Sequence, residues 1–336
     1  MRRQNHLFDQ VVSFKNLHQA ALQALKGKKN KPKVACFVFH LEPEILRLGQ
    51  ELANGTYQPR AYQVFEIQDP KVRKICSSAF RDRVVHHAVC AVLEPFWERR
   101  LITDTYACRK GKGLHVALKR CQSFAKKNEY YLKCDIQKFF ESVDHEILKQ
   151  LLRKVIKDPL LLQLLDKIID HPIPGNALGK GISIGNLSSQ YFANFYLGEL
   201  DHFLKDKLRV KGYIRYVDDF LTFGETKDLQ KVLCEIKVFL AQHLKLQLKE
   251  KVTRVAPVHE GIPFLGMRVF RNLIRIQRPN LVRFRKKVKQ LEFYERSGKI
   301  SELELAQRMQ SSLAHWSYAN SLALRRKEFS GVASGS

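Results

Sequence analysis

Residues 213–224, YIRYVDDFLTFG, place two adjacent aspartates between two apolar arms. Neighbouring residues on a regular strand point to opposite sides, so both carboxylates can approach one point only where the chain turns. The pattern therefore predicts a β-hairpin with Asp218 and Asp219 at its tip. Asp is also common in turns without any catalytic role, so the pair must be weighed with the rest of the chain.

A second acidic strand end lies earlier, in residues 130–140, YYLKCDIQKFF. Asp135 is the only acid in this stretch, among apolar and basic neighbours. An unpaired carboxylate in such surroundings is unfavourable, so we expect Asp135 to face a cation. Two acidic strand ends predict a site for two Mg²⁺ ions, which prefer oxygen ligands and can bridge triphosphate oxygens. Mn²⁺ is expected to substitute for Mg²⁺.

The charge and the cysteines indicate the kind of partner and compartment. The 336 residues include 59 Lys and Arg against 33 Asp and Glu, a net charge of +26, which makes nucleic acid the first candidate partner. A hydrophobic content of 45% excludes a wholly disordered chain. Seven scattered cysteines without CxxC spacing argue against disulfides and zinc and favour a cytoplasmic location. No apolar stretch reaches the length of a membrane span, so no membrane partner is expected.

Apolar periodicity predicts a mixed α/β chain without internal repeats. Strands are expected over 61–67, 129–136, 252–256 and 263–270, besides the hairpin. Helices are expected over 7–26, 42–53, 80–100, 113–127, 144–170, 187–208, 227–243 and from 280 onward. Between Arg268 and Lys299 lie eleven Lys or Arg and two Glu. Such a run is either a solvated helix face or a surface for nucleic-acid phosphates.

Several of these segments together resemble the reverse transcriptases. Tyr216-Val217-Asp218-Asp219 looks like their acidic signature, and the DIQKFF segment that begins at Asp135 is similar to their first catalytic block. The resemblance extends over roughly residues 55–325 through DPKVRKI (69–75), FRDRVVHHAV (80–89), YACRKGKG (106–113) and GIPFLGMRV (261–269).

The resemblance implies an α+β fold, a right-hand polymerase with palm, fingers and a C-terminal helical thumb. The expected units are an N-terminal helical extension (1–54), fingers with the start of the palm (55–134), palm (135–270) with a fingers insertion at about 150–185, helical thumb (271–330) and a flexible tail (331–336). The implied partners are a structured template RNA, the cDNA, the RNA/DNA hybrid and deoxynucleoside triphosphates (dNTPs).

Residues 184–190, IGNLSSQ, narrow the resemblance to the reverse transcriptases of diversity-generating retroelements. Most bacterial enzymes, group II intron enzymes included, have a Gln-Gly pair where this chain has Ile184-Gly185. The resemblance implies error-prone, adenine-mutagenic cDNA synthesis from a template-repeat RNA for targeted protein diversification. It also implies a small basic accessory protein that forms a ring, in a bacterial cell or a phage-infected host. The alternatives are a reverse transcriptase of a retron or phage-defence system, or a catalytically inactive RNA-binding scaffold.

The resemblance also assigns roles to residues of the site. The catalytic carboxylates would be Asp135, Asp218 and Asp219, with the metal ions held by Asp135, Asp218 and the backbone carbonyl of Ile136. The incoming nucleotide would contact Lys71, Arg73, Phe140, Ile184 and Gln190, with Phe140 as the aromatic gate that crowds a ribose 2′-hydroxyl. Ile184 replaces a side chain able to hydrogen-bond near the new base pair, so we expect lower fidelity.

The remaining assignments concern the leaving group and the primer–template. Lys251 is the candidate acid for the pyrophosphate leaving group, with Lys249 as a competitor. Phe264, Leu265 and Gly266 resemble the primer-grip turn, where Gly permits a close backbone approach. Contacts to the nucleic-acid backbone are expected from Arg283, Arg285, Lys286, Lys287 and Lys289 at the start of the thumb.

Overall fold

Helices dominate both ends of the chain, and the sheets lie between them. The computed structural model describes residues 5–28, 31–68 and 72–329. The helices are α1 Phe8–Val12, α2 Phe14–Leu25, α3 Pro32–Phe39, α4 Leu41–Ala53, α5 Phe80–Arg100, α6 Leu114–Lys127, α7 Phe139–Ser142, α8 His145–Val155, α9 Pro159–Ile169, α10 Leu187–His202, α11 Thr226–Leu244, α12 Arg278–Arg296, α13 Glu302–Trp316 and α14 Leu322–Phe329. The strands are β1 Gln63–Gln68, β2 Val72–Ser77, β3 Tyr130–Asp135, β4 Gly212–Tyr216, β5 Asp219–Gly224, β6 Arg254–Pro257, β7 Ile262–Phe264, β8 Met267–Val269 and β9 Ile274–Ile276.

The central sheet is antiparallel, with strand order β4-β5-β3-β6. Its side chains alternate between two apolar clusters. Leu132 and Phe220 pack with the helices on one face, whereas Tyr131 and Leu221 pack with α6 and the small sheet on the other. Because both faces are covered, the edge at which β3 and the β4–β5 hairpin end is held rigidly from both sides.

The N-terminal helices form a layer against α5. Leu17, Ala20, Ala21 and Ala24 bury one stripe of α2 at helical spacing, and the small size of the three alanines lets α2 lie close to α5. The Asp158 carboxylate accepts hydrogen bonds from the backbone N–H of Leu7 and Phe8, at 2.8 and 2.9 Å. The start of the chain is therefore fixed to the helix pair α8–α9.

Two smaller sheets flank the central one. Strands β1 and β2 form an antiparallel hairpin whose side chains on β1 are exposed throughout. Strands β7, β8 and β9 form a second sheet, and α12, α13 and α14 follow it in the described residues. None of the helices in the described ranges is both long and apolar enough to cross a lipid bilayer.

Several expected elements are wrong in detail, each for a local reason. The helix expected over 144–170 is two helices, because Asp158 caps α9 and Pro159 cannot continue α8. The helix expected over 7–26 breaks at Ser13, whose hydroxyl caps α2. The strand expected over 263–270 is two strands, since Leu265 and Gly266 have φ of 48° and 80° and form a turn.

Other differences add elements that the periodicity did not predict. Helix α3 and strands β2 and β9 were not expected, and the helix over 187–208 ends in a π-helical turn at Phe203–Lys207. The helical region from 280 onward is three helices, of which the first begins at Arg278. The tail over 331–336 lies outside the described residues, and the domain boundaries stay predictions.

Candidate active site

The β4–β5 hairpin places its two aspartates at the edge of the central sheet. Only Val217 and Asp218 connect the strands, so Asp218 lies on the turn and Asp219 begins β5. Val217 has a φ of 55°, a left-handed conformation that is uncommon for a β-branched residue. The expected hairpin tip is thus present.

Asp135 ends β3 directly opposite Asp219 in the strand register. Residues paired in this way point to the same face of a sheet with their Cβ atoms about 4.5–5.5 Å apart. Asp135 also acts electrostatically on Asp218, since its charge raises the pKa of that carboxyl. The three acids expected to meet are therefore neighbours.

Lys133 distinguishes Asp219 from the other two acids. It lies two residues before Asp135, on the same face of β3, and its Nζ donates to both oxygens of Asp219 at 3.0 and 3.1 Å. The same Nζ donates to the carbonyl of Pro263 in β7 at 2.8 Å. Lys133 thus neutralises Asp219 and links the hairpin to the small sheet.

The carboxyls at the tip are buried against like charges. Burial raises the pKa of Asp218 to about 6, and the Asp135 charge adds to this, while Arg73 and Lys249 act in the opposite direction. Burial also raises the pKa of Asp219 to about 6, even though the Lys133 charge lowers it. A cation between these groups would relieve both the desolvation and the repulsion.

The donors fit Mg²⁺ that shares its coordination with a substrate. Two backbone hydrogen bonds join this segment to residues 247–249. The Lys249 N–H donates to the Asp135 carbonyl at 2.8 Å, and the Gln137 N–H donates to the Gln247 carbonyl at 2.9 Å. The carbonyl of Ile136, which lies between them, takes part in neither bond. Within the described ranges, no three His, Cys, Asp or Glu side chains are gathered so as to hold an ion. Mg²⁺ is commonly bound by one or two carboxylates together with substrate phosphates rather than by an all-protein cage.

Arg73 lies on the exposed β2 strand and its charge lowers the pKa of Asp218. A guanidinium this close to the acids is suited to contact a triphosphate, because it presents paired N–H donors to phosphate oxygens. Lys71, the other expected triphosphate contact, lies outside the described residues. Gln190 is exposed at the start of α10, and its contact with the nucleotide stays a prediction.

Phe140 follows the catalytic strand in the short helix α7. Its ring is half-buried and lies edge-on to that of Phe139, with ring centroids 5.6 Å apart. Its carbonyl accepts a hydrogen bond from the backbone N–H of Ile182 at 2.7 Å. The expected gate is therefore connected to the loop that leads to Ile184.

Residues 184–190 join that loop to the β1–β2 hairpin. The Ile184 carbonyl accepts from the N–H of Cys76 at 3.1 Å, and the Asn186 side chain accepts from the N–H of Ser78 at 3.2 Å. The Ile184 side chain is half-buried. The backbone of this block is therefore fixed to the end of β2.

Lys249, the competitor for the leaving-group role, is bonded to Asp135 through the backbone. Its backbone N–H donates to the carbonyl of Asp135 at 2.8 Å, and its charge lowers the pKa of Asp218. Lys251 is exposed in the following turn. The Lys249 backbone is therefore bonded to that of Asp135, and which lysine protonates the leaving group stays a prediction.

The expected primer-grip turn joins β7 and β8. Phe264 is buried, while Leu265 and Gly266 form the turn itself. The Gly266 carbonyl accepts from Asn280 Nδ2 at 2.7 Å and from the N–H of Gln277 at 3.2 Å. The start of α12 therefore supports the turn.

The basic side chains at the start of the thumb lie on α12, around the buried Phe284. All of them are exposed: Arg283, Arg285, Lys286, Lys287 and Lys289. Their contact with nucleic-acid phosphates stays a prediction.

A cleft of about 650 Å³ opens between α3 and the β1–β2 hairpin. It is lined by basic side chains, among them Lys31, Arg60 and Arg83, and by the aromatic rings of Phe37 and Phe65. Of the two rings only that of Phe65 is exposed, and positive charge beside an exposed aromatic ring is suited to single-stranded nucleic acid.

Sequence reasoning missed Lys133 and Arg215. Lys133 stands two residues before Asp135, a spacing that puts both on one face of a strand and could have suggested its position. Arg215 is fully buried on β4 beside Asp201 of α10. Nothing local in the sequence distinguishes it from an exposed arginine.

Residues 67–269 match the family described as "Reverse transcriptase (RNA-dependent DNA polymerase)". Because the match covers more than half of the 336 residues, the chain belongs to the reverse transcriptase family. It is an RNA-directed DNA polymerase of the right-hand fold, with an RNA template, dNTP substrates and a DNA product.

The chain is similar to two bacterial proteins over most of its length. It is 26% identical to Protein YkfC of Escherichia coli (strain K12), covering 79% of each chain. It is 23% identical to the group II intron-encoded protein LtrA of Lactococcus lactis subsp. cremoris, covering 86% of this chain and 58% of that protein. Among solved structures, apo telomerase from Candida tropicalis, truncated from its C-terminal domain, shares a TM-score of 0.48 at 13% identity, covering 71% of this chain and 60% of that one.

Proposed function

We propose that this reverse transcriptase copies a template-repeat RNA into mutated cDNA for targeted protein diversification. The single observation that supports polymerisation at the hairpin is the meeting of Asp135 with Asp218 and Asp219 at one sheet edge. The subtype is supported by Ile184-Gly185 and the SQ that follows in residues 184–190.

Asp135 and Asp218, with the carbonyl of Ile136, would hold two Mg²⁺ ions, with Mn²⁺ as a substitute. When bound, such ions stabilise the attacking and the leaving oxygens of an in-line displacement. Arg73 orients the triphosphate through paired N–H donors. Lys249 is better placed than Lys251 to give a proton to the pyrophosphate, because its charge already acts on Asp218. Phe140 crowds the sugar and favours deoxynucleotides.

Primer extension on an RNA template with Mg²⁺ tests the site. Asp218→Asn keeps the shape of the side chain and removes its charge, so we expect synthesis to fall by at least about three orders of magnitude, the scale of losing a group that acts in the transition state. The matched control is Asp228→Asn, which changes an exposed aspartate at the start of α11. Full synthesis by Asp218→Asn would remove Asp218 from the metal site, whereas no synthesis by the wild type would support an RNA-binding scaffold.

The subtype is tested by sequencing the cDNA. Ile184→Gln supplies a polar side chain at a position whose backbone is fixed by Cys76. We expect fewer misincorporations, above all opposite template adenines. An unchanged error spectrum would remove Ile184 from the explanation. The neighbouring Leu187→Met, which conserves size and polarity, is the control.

A second candidate is a group II intron-type reverse transcriptase, because the similar LtrA is a group II intron-encoded protein. It predicts cDNA without adenine bias in the wild-type chain. A retron or phage-defence role predicts the same accuracy but a dedicated structured RNA. Sequencing wild-type cDNA from a defined template therefore separates diversification from both.

The proposed partners are a structured template RNA and a small basic ring-forming accessory protein. The net charge of +26 and the basic, aromatic cleft beside α3 support the RNA. Two basic proteins repel each other, so we expect the accessory protein to join only when RNA is present. Sedimentation of the mixture with and without RNA measures this, and RNA-independent assembly would contradict it.

A further inference from the structure

We propose that Arg215 is a positioning residue for the active-site hairpin. Its guanidinium holds the carbonyl of Val217 and thereby sets the direction in which Asp218 leaves the turn. Arg215 Nη1 donates to the Val217 carbonyl at 3.1 Å from beneath the turn. The inference rests on the metal-binding role proposed above for Asp218.

The guanidinium is fixed by a complete set of hydrogen bonds. Its Nε and Nη2 donate to the two oxygens of Asp201 at 2.7 and 2.5 Å. Nη1 and Nη2 also donate to the side-chain and backbone oxygens of Asn194, at 3.2 and 3.3 Å. With the bond to Val217 these use all five N–H donors of an arginine. The guanidinium therefore cannot rotate without breaking several bonds at once.

Asp201 is itself fixed by two further hydrogen bonds. Its carboxylate also accepts from the Tyr213 hydroxyl at 2.7 Å and from Thr105 Oγ1 at 2.8 Å. Both Arg215 and Asp201 are 0% exposed. The network thus extends from helix α10 to the strand that carries the catalytic turn.

The turn needs such support because of Val217. A β-branched residue at a φ of 55° is strained by about 1–3 kcal/mol and persists only where its surroundings determine it. Without a donor at its carbonyl, Val217 would relax toward a negative φ. The Asp218 side chain would then turn away from Asp135.

The alternative is that Arg215 and Asp201 form a buried ion pair that contributes only to the stability of the core. A buried pair is by itself weak evidence for any role, since apolar residues often replace one without loss of stability. The two readings differ in what they predict for Mg²⁺. A core pair affects stability alone, whereas a positioning residue affects Mg²⁺ affinity in a protein that is still folded.

The test compares Arg215→Lys with wild type. Lys keeps the charge but lacks the planar fork, so it cannot serve Asp201, Asn194 and Val217 together. Mg²⁺ affinity is read from the rise in melting temperature on Mg²⁺ titration, and from the Mg²⁺ concentration that half-saturates primer extension. We expect both to weaken by about tenfold or more, the scale for residues that orient metal ligands.

The control is Leu48→Ala, which removes a buried side chain of α4, a helix that packs in the N-terminal layer. It should lower the melting temperature without changing Mg²⁺ affinity. If Arg215→Lys behaves in the same way, the proposal is overturned.

Should Arg215→Lys not fold, Asn194→Ala loosens the same guanidinium and keeps the ion pair. A severalfold loss of Mg²⁺ affinity in that variant supports the proposal, and an unchanged affinity overturns it.

A second test adds Val217→Gly to the Arg215→Lys variant. Glycine adopts a positive φ without strain, so it should recover Mg²⁺ affinity severalfold. Simple additivity of the two substitutions would overturn the proposal.

Asp218→Asn, measured in parallel, separates failure of the Arg215 proposal from failure of the proposed metal site. If that variant still binds Mg²⁺ and synthesises DNA, the proposed site itself has failed, whatever Arg215 does.

Discussion

Two antiparallel hairpins carry residues proposed for the active site, one hairpin in the core and the other at the surface. The β4–β5 hairpin is buried along both strands and is held from beneath by Arg215. The β1–β2 hairpin is exposed along the whole of β1 and half of β2. A two-stranded sheet alone is marginally stable in water. The core therefore fixes the carboxylates, while the arginine that would meet the triphosphate stands on an element that is free to adjust.

The largest expected effect is at the carboxylates on the edge of the central sheet. Asp135→Asn should lower DNA synthesis by at least about three orders of magnitude. Asp219→Asn should lower it by only about tenfold to a hundredfold, because Lys133 already neutralises that carboxylate. Single-turnover primer extension measures both. Equal losses would show that Asp219 contributes as much as Asp135.

Stability separates the two hairpins in the same way. Phe220→Ala empties a fully buried site on β5 and should lower the free energy of unfolding by about 3–5 kcal/mol. Phe65→Ala, at a ring that is 48% exposed on β1, should change it by less than about 1 kcal/mol. Urea unfolding monitored by circular dichroism gives both values. A large loss for Phe65→Ala would mean that the exposed hairpin is part of the folding core.

Arg73→Ala should affect the substrate rather than the fold. We expect KM for dNTPs to rise about tenfold to a hundredfold, since a charged hydrogen-bonding partner of the phosphates is lost. The melting temperature should stay unchanged because Arg73 is exposed. Lys231→Ala, an exposed lysine of α11, is the matched control. A similar rise in that variant would indicate a general loss of positive charge.

The smallest effect concerns pH in the absence of divalent ions. The pKa of Asp218 rises from 3.8 to about 6 on folding, so the folded chain binds more protons than the unfolded chain between these values. Stability should therefore fall as pH rises through this interval. Asp218→Asn should be more stable than wild type by about 1–2 kcal/mol at pH 7.5 in EDTA, and equally stable near pH 3. Thermal melts across pH measure this, and a wild type that stays as stable as the variant at pH 7.5 would contradict it.

The buried hairpin could be predicted from sequence, whereas the exposed one could be predicted only in part. The apolar arms around Asp218 are nearly continuous because the core covers both faces of the strands. Strand β2 has no such pattern, since VRKICS is exposed over its first half. Its strand state comes from pairing with β1, which single-sequence periodicity does not encode.

The meeting of Asp135 with the hairpin was expected and is present in the register. The bond from Lys133 to Asp219 and the burial of Arg215 could not be predicted, because both depend on contacts between segments distant in sequence. Helix was expected over 144–170, and the structure interrupts it between Val155 and Pro159. Local backbone chemistry prevailed there over periodicity.

The bond between Cys76 and Ile184 has an evolutionary consequence. Lys74 adds a second connection, from its Nζ to the carbonyl of Pro174 at 2.7 Å. The strand that would grasp the substrate and the residue that would govern copying errors share one backbone linkage. We expect substitutions that move the backbone at residue 184 to move β2 as well, so that selection on copying errors would also act on nucleotide binding.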